Sequence, residues 1–101
     1  MIKVIQERQA KPGKESALEN LLIELRTKAM RQSGYISGET LVRVDDHLFY
    51  LAIGTWTRLE AWKAWENSQE RLEIVQLLTT LLTEEPRISI YGPPLEDDLN
   101  I

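Results

Sequence analysis

Three tryptophans, Trp56, Trp62 and Trp65, fall within ten positions and form the densest chemical signal in the 101-residue chain. An indole is a large apolar plate with one N–H that needs a partner when buried, so such a cluster suits a pocket containing some polar groups as well as plain core packing. Other chemistries have few residues to draw on. Cysteine is absent, which removes disulfides, thiolate metal sites and thiol nucleophiles. The single histidine, His47, excludes zinc sites built on several histidines, and between Asp46 and Leu48 it reads as a solvated turn residue before a general base. Asp45-Asp46 matches no calcium loop, and neither a G-x-G-x-x-G nor a G-K-S/T phosphate loop is present. No G-x-S-x-G elbow marks a serine nucleophile. Glu84-Glu85 and Glu96-Asp97-Asp98 read as solvated ends. No metal site is expected.

Charge narrows the partners. Twelve Lys and Arg against sixteen Asp and Glu give a net charge of −4, and no two basic residues are adjacent. Binding duplex nucleic acid or an anionic membrane surface requires clustered basic side chains, so neither is expected. The longest stretches without a charged residue are 11 residues (His47–Thr57) and 10 residues (Ile74–Thr83), against the roughly 20 that a membrane helix needs. Residues 1–8 lack the basic start and apolar core of a secretory leader. The expectation is a cytoplasmic protein of one domain spanning 1–101, with a core of about 2–91 and a tail over 92–101.

The elements that must position the tryptophans follow from periodicity. Ile2, Val4, Gln6 and Arg8 alternate with Lys3, Ile5, Glu7 and Gln9, the period of a strand, and Lys11-Pro12-Gly13 ends it. Leu18, Leu21, Leu22, Leu25 and Ala29 carry the buried stripe of a helix over about 14–32, with Ser16 and Glu19 as a capping box and Ser33-Gly34 as its stop. A second strand runs over 35–44 with Ile36, Thr40, Val42 and Val44 on one face, and a third over 48–56. Leu59, Ala61, Trp62 and Trp65 share one arc of the next helix. Asn67-Ser68 interrupts it, and Asn67 with Glu70 caps a further piece bearing Ile74, Leu77, Leu78, Leu81 and Leu82. Glu85-Pro86 stops that piece, and 87–91 is a fourth strand.

The order β-α-β-β-α-β predicts an α+β, ferredoxin-like antiparallel sheet with its helices on one face. The third strand is apolar on both sides: Tyr50, Ala52 and Trp56 on one, Phe49, Leu51 and Ile53 on the other. Helices cover only one face, so the other calls for a second copy of the sheet, a homodimer, with Leu99 and Ile101 of the tail lying across the partner.

Thr55-Trp56, Leu59-Glu60-Ala61-Trp62-Lys63-Ala64-Trp65, Asn67-Ser68 and Glu70-Arg71 resemble the antibiotic biosynthesis monooxygenase domain, whose members form dimeric α+β barrels. Gly34-Tyr35-Ile36-Ser37-Gly38 is similar to the start of that family's second strand, and Lys11-Pro12-Gly13-Lys14 to its first turn. The resemblance spans about residues 2–91. It implies oxygenation of a small aromatic phenol, quinol or anthrone without any cofactor, in a pocket where the substrate, once deprotonated, reduces dioxygen directly. It further implies that Trp65 stacks on or donates to the substrate, that Gln6 hydrogen-bonds one of its oxygens, that Arg8 stabilises the anion, and that Tyr50 is a further donor. No catalytic base is evident, which leaves a non-catalytic small-molecule binder as the alternative. In the haem-degrading branch of the family the pocket uses an Asn, a Trp and an axial His. Those positions fall here on Gln6, Trp65 and Val75, and valine cannot ligate iron, so haem degradation is not expected.

Overall fold

The computed structural model describes residues 1–94. Seven elements follow one another: β1 (Ile2–Gln9), α1 (Glu15–Ala29), β2 (Tyr35–Val42), β3 (Phe49–Trp56), α2 (Leu59–Glu66), α3 (Gln69–Thr79) and β4 (Arg87–Tyr91). The four strands form one sheet in the order β2-β3-β1-β4, and every neighbouring pair is antiparallel. This is the ferredoxin-like α+β arrangement, with the second helical segment split in two. The tail contact expected of Leu99 and Ile101 lies outside the described residues.

Strand parity sorts the sheet into two faces. The inner face carries Val4, Gln6 and Arg8 of β1 opposite Gly54, Ala52 and Tyr50 of β3. The helices close over it, and Trp56, Trp62, Leu18, Leu78 and Val4 are the largest fully buried side chains. Helix α1 contributes Leu18, Leu22, Leu25 and Ala29 to this core, while Leu21 packs at its margin. The outer face pairs Ile5 with Ile53, Glu7 with Leu51 and Gln9 with Phe49, and its apolar members are half-buried.

Several local expectations are corrected. No side chain caps α1: its N-cap is Lys14, so Ser16 and Glu19 make no capping box. The cap of α3 is Ser68 rather than Asn67, with Ser68 Oγ accepting from the Arg71 N–H at 3.2 Å. Asn67 instead ends α2 and donates from Nδ2 to the Lys63 carbonyl at 3.0 Å. A register shift between Tyr35 and Ser37 turns Ile36 outward, so Tyr35 joins Gly38, Thr40 and Val42 opposite the inner residues of β3. Val44 lies beyond the strand end and is fully exposed. On the helices, Leu59 and Leu77 face solvent, leaving narrower buried stripes than their apolar spacing predicts.

Gly34 shows why the link from α1 to β2 needs a glycine. Its φ is +89°, and a Cβ there would sit 2.5 Å from Ala61 Cβ and 2.9 Å from Thr57 Oγ1. The left-handed turn and the close approach of α2 both exclude a side chain.

Candidate active site

A cavity lies between the inner face of the sheet and the helices because three sheet positions there have little or no side chain. Gly38 is the register partner of Gly54, and Thr40 that of Ala52, so the sheet surface beneath the helices is nearly flat. Ala29, Leu22 and Leu25 of α1 form the opposite wall, and Tyr35, Trp56, Trp62 and Trp65 form an aromatic one. Tyr35 meets Trp56 edge-on, with ring centroids 5.4 Å apart and planes at 88°, and Trp56 meets Trp62 at 5.9 Å and 65°. Edge-to-face contacts of this kind hold rings in defined orientations. The cavity measures ≈ 70 Å³ and opens to solvent.

One end of the cavity is cationic. Arg8 Nη2 donates to Gln6 Oε1 at 2.8 Å, and Arg71 Nη2 donates to the same oxygen at 3.1 Å. Both arginines are buried, with relative exposures of 4% and 6%. Arg71 also reaches the Glu66 carbonyl at 3.5 Å and lies 5.2 Å from the ring centroid of Trp62. Among the described residues neither guanidinium forms an ion pair, and the Nε–H groups of both, together with the Trp62 indole N–H, are buried without an acceptor. Buried polar groups are nearly always paired, so three orphaned donors on neighbouring side chains are a specific feature.

The electrostatics agree. Burial pushes the Arg8 guanidinium down to about 10, and the neighbouring charge of Arg71 adds to the fall. Burial likewise lowers Arg71, with Glu66 opposing the shift. Two like charges held on a single neutral acceptor repel, a cost that an anion beside them would offset.

Of the residues singled out in the sequence, the structure brings Gln6, Arg8 and Trp65 to one cavity. Trp65 is 3% exposed and comes from the last turn of α2. Tyr50 is not among them. Its hydroxyl donates to Glu19 Oε2 at 2.8 Å, beside an adjoining groove between α1 and β2 that shares Leu22, Arg26 and Thr40 with the cavity. In this structure the Tyr50 hydroxyl is hydrogen-bonded to Glu19 and not directed to the cavity residues. His47 is exposed, 3.3 Å from Glu15 Oε2, and does not line the cavity.

Arg71 and the orphaned indole of Trp62 were not anticipated. Arg71 carries a readable signal, because it lies three residues before Ile74 and seven before Leu78, on the buried stripe of its helix. A charged residue on an apolar stripe is a candidate for a buried role. Among the described residues no group of three or more His, Cys, Asp or Glu side chains could hold a metal ion, and no helix is long and apolar enough to cross a membrane.

No curated protein matches the sequence. Solved structures do match the fold. A conserved protein from Methanosarcina mazei is 24% identical over 89% of each chain, with a TM-score of 0.85. Rv0793 from Mycobacterium tuberculosis is 21% identical, covering 94% of this chain and 96% of its own, with a TM-score of 0.84. SnoaB, a cofactor-independent oxygenase from Streptomyces nogalater, is 17% identical over 93% of each chain, with a TM-score of 0.83. At such identities the likeness speaks for the fold alone. The family model described as antibiotic biosynthesis monooxygenase matches residues 1–77, which include Gln6, Arg8, Trp65 and Arg71, and the chain belongs to that family.

Proposed function

We propose that this protein is a cofactor-independent monooxygenase of the cytoplasm that acts on a small aromatic phenol, quinol or anthrone. The observation that carries the reading is the joining of an aromatic wall, Trp62 and Trp65, to a buried pair of arginines that share Gln6 Oε1. A free phenol ionises near pH 10, and a buried cation beside it favours the anion. The phenolate is the electron-rich form that reduces dioxygen. One oxygen atom enters the ring and the other leaves as water with the two hydrogens lost, so a phenol becomes a quinone and no external reductant is consumed. The protein's part is to hold the ring against the indoles, to stabilise the anion and to limit water.

The outer sheet face supports a homodimer as the working form. Ile5, Leu51 and Ile53 lie together there, on the face away from the helices of the described residues, and a second sheet packed face to face would cover them. Light scattering at micromolar concentration should give twice 11.7 kDa; a monomer would refute this.

A non-catalytic binder is the second reading. It is favoured by the makeup of the cavity wall, which among the described residues has no histidine and a single carboxylate, Glu39. Oxygen uptake decides between the two. Metal-free and flavin-free protein should exceed the autoxidation rate of a reduced quinol, and Trp65→Phe and Gln6→Ala should lower kcat together with kcat/KM if their contacts act in the transition state. Equal uptake by native and heat-denatured protein across a panel of quinols and anthrones would leave the binder.

A further inference from the structure

The cavity is rich in donors and poor in acceptors. Each guanidinium carries five N–H donors and no acceptor. Protein acceptors take one of these from Arg8, at Gln6, and two from Arg71, at Gln6 and the Glu66 carbonyl. The Nε–H of both arginines and the Trp62 indole N–H are sealed from solvent without an acceptor, and the donors left to meet a ligand are the remaining Nη–H groups of the two arginines, which line the cavity. A single neutral oxygen, Gln6 Oε1, stands between two charged groups and is already shared by them. The missing partner is therefore an acceptor that donates nothing, carries negative charge and offers several lone pairs. An ionised carboxylate has this character, with two oxygens and about four acceptor sites that match two guanidiniums. A phenolate supplies only one oxygen. Beside the arginines, the indoles of Trp62 and Trp65 offer flat apolar surface to whatever bears the carboxylate.

We infer that the ligand of this cavity is an aromatic carboxylate, bound with its carboxylate against the free Nη–H groups of Arg8 and Arg71 and its ring against Trp62 and Trp65. The inference rests on the cavity being the substrate site, as proposed above, and narrows the substrate to a hydroxylated aromatic acid. The acid group and the reacting hydroxyl then have separate tasks. The carboxylate anchors the ring through contacts that do not change during reaction, while a hydroxyl beside it on the ring meets the same guanidiniums, which hold it as the anion, and is the oxidised end.

The test is calorimetric titration of the protein with benzoate and with benzamide, which have the same shape and differ in charge. Benzoate should bind about 30-fold or more tightly than benzamide, the scale of charged hydrogen bonds lost. Gln6→Glu places an internal carboxylate between the two arginines; it should raise the melting temperature and abolish benzoate binding. Arg71→Met should weaken benzoate at least about tenfold with little change for benzamide. Equal affinity for the two ligands, full benzoate binding in Gln6→Glu, or no benzoate binding at millimolar concentration would overturn the inference. Inorganic phosphate displacing benzoate at equal concentration would overturn its aromatic part. Failure here is distinguishable from failure of the oxygenase reading. Quinol oxidation that benzoate does not inhibit removes only the carboxylate ligand, whereas benzoate binding without oxygen uptake on any hydroxylated acid removes only the oxygenase.

Discussion

Arg8 and Tyr50 are cross-strand partners on the same buried sheet face, yet they end in opposite situations. The Tyr50 hydroxyl donates a hydrogen bond to Glu19, an exposed carboxylate of α1, a complementary pair that is complete within the protein. Arg8 meets a second cation, Arg71, over one neutral oxygen, and part of its donor capacity is unused. Burial and the Glu19 hydrogen bond push the Tyr50 phenol up, and burial with Arg71 pushes Arg8 down. Each is driven toward its neutral form, but only Tyr50 is at rest there. A buried polar group that has found its complement is architecture. One held beside its own kind costs stability that ligand binding can recover.

The contrast can be broken most forcefully at Gln6. Gln6→Leu removes the acceptor common to both arginines and should cost about 3 kcal/mol, since hydrogen bonds to charged groups contribute about 1.5–3 kcal/mol each. Urea denaturation measures it, and a change within about 0.5 kcal/mol would mean that the arginines find other acceptors. Arg8→Met should act in the opposite direction. Replacing a buried, uncompensated charge by a side chain of similar length should stabilise by about 1–2 kcal/mol, raising Tm by roughly 4–8 °C per kcal/mol. Destabilisation would show that the charge is compensated after all. Tyr50→Phe, by contrast, should cost about 1 kcal/mol and leave ligand affinity in the cavity unchanged; a loss of affinity would put Tyr50 back in the site.

The smallest effect is alkaline. The Tyr50 phenol is raised in the folded state, so its contribution is whole below about pH 10, where the unfolded chain ionises, and is lost as pH rises toward the folded value. Arg8 has the opposite sign: its folded value of about 10 lies below 12.5, so its penalty is present below pH 10 and relieved above it. In a tyrosinate absorbance titration, one of the three tyrosines should stay protonated until the chain unfolds, and Tyr50→Phe should remove that late step. All three ionising together near pH 10 would contradict it.

The sheet and helix order was legible because strand alternation and helical stripes are set by burial, which acts on every residue of an element. Gln6, Arg8 and Trp65 were legible as cavity residues by parity, by helical arc and by family resemblance. Glu19 was not. Read locally, it completes a capping box with Ser16; in the fold it accepts from Tyr50, thirty-one residues away. The helix starts one residue before Ser16, at Glu15, so no box can form there, and Glu19 is left to pair with Tyr50. The shift of Ile36 was equally hidden, since a bulge changes the parity of a strand without leaving a mark in its hydrophobic pattern.

Ser68 links the two halves of the aromatic and cationic site. Its hydroxyl donates to the Trp65 carbonyl at 2.8 Å and accepts from the Arg71 N–H at 3.2 Å. Trp65 and Arg71 are six residues apart, and on an unbroken helix they would point about 120° away from each other around the axis. A single helix could then present the indole or the guanidinium to the cavity, but not both. The serine resets the angular phase of the chain, so that one segment ends on the ring and the next begins its own count toward the cation. The spacing between wall and charge is thereby written in chain length across the break, and inserting or deleting one residue there would rotate one of them away from the cavity while leaving both helices intact.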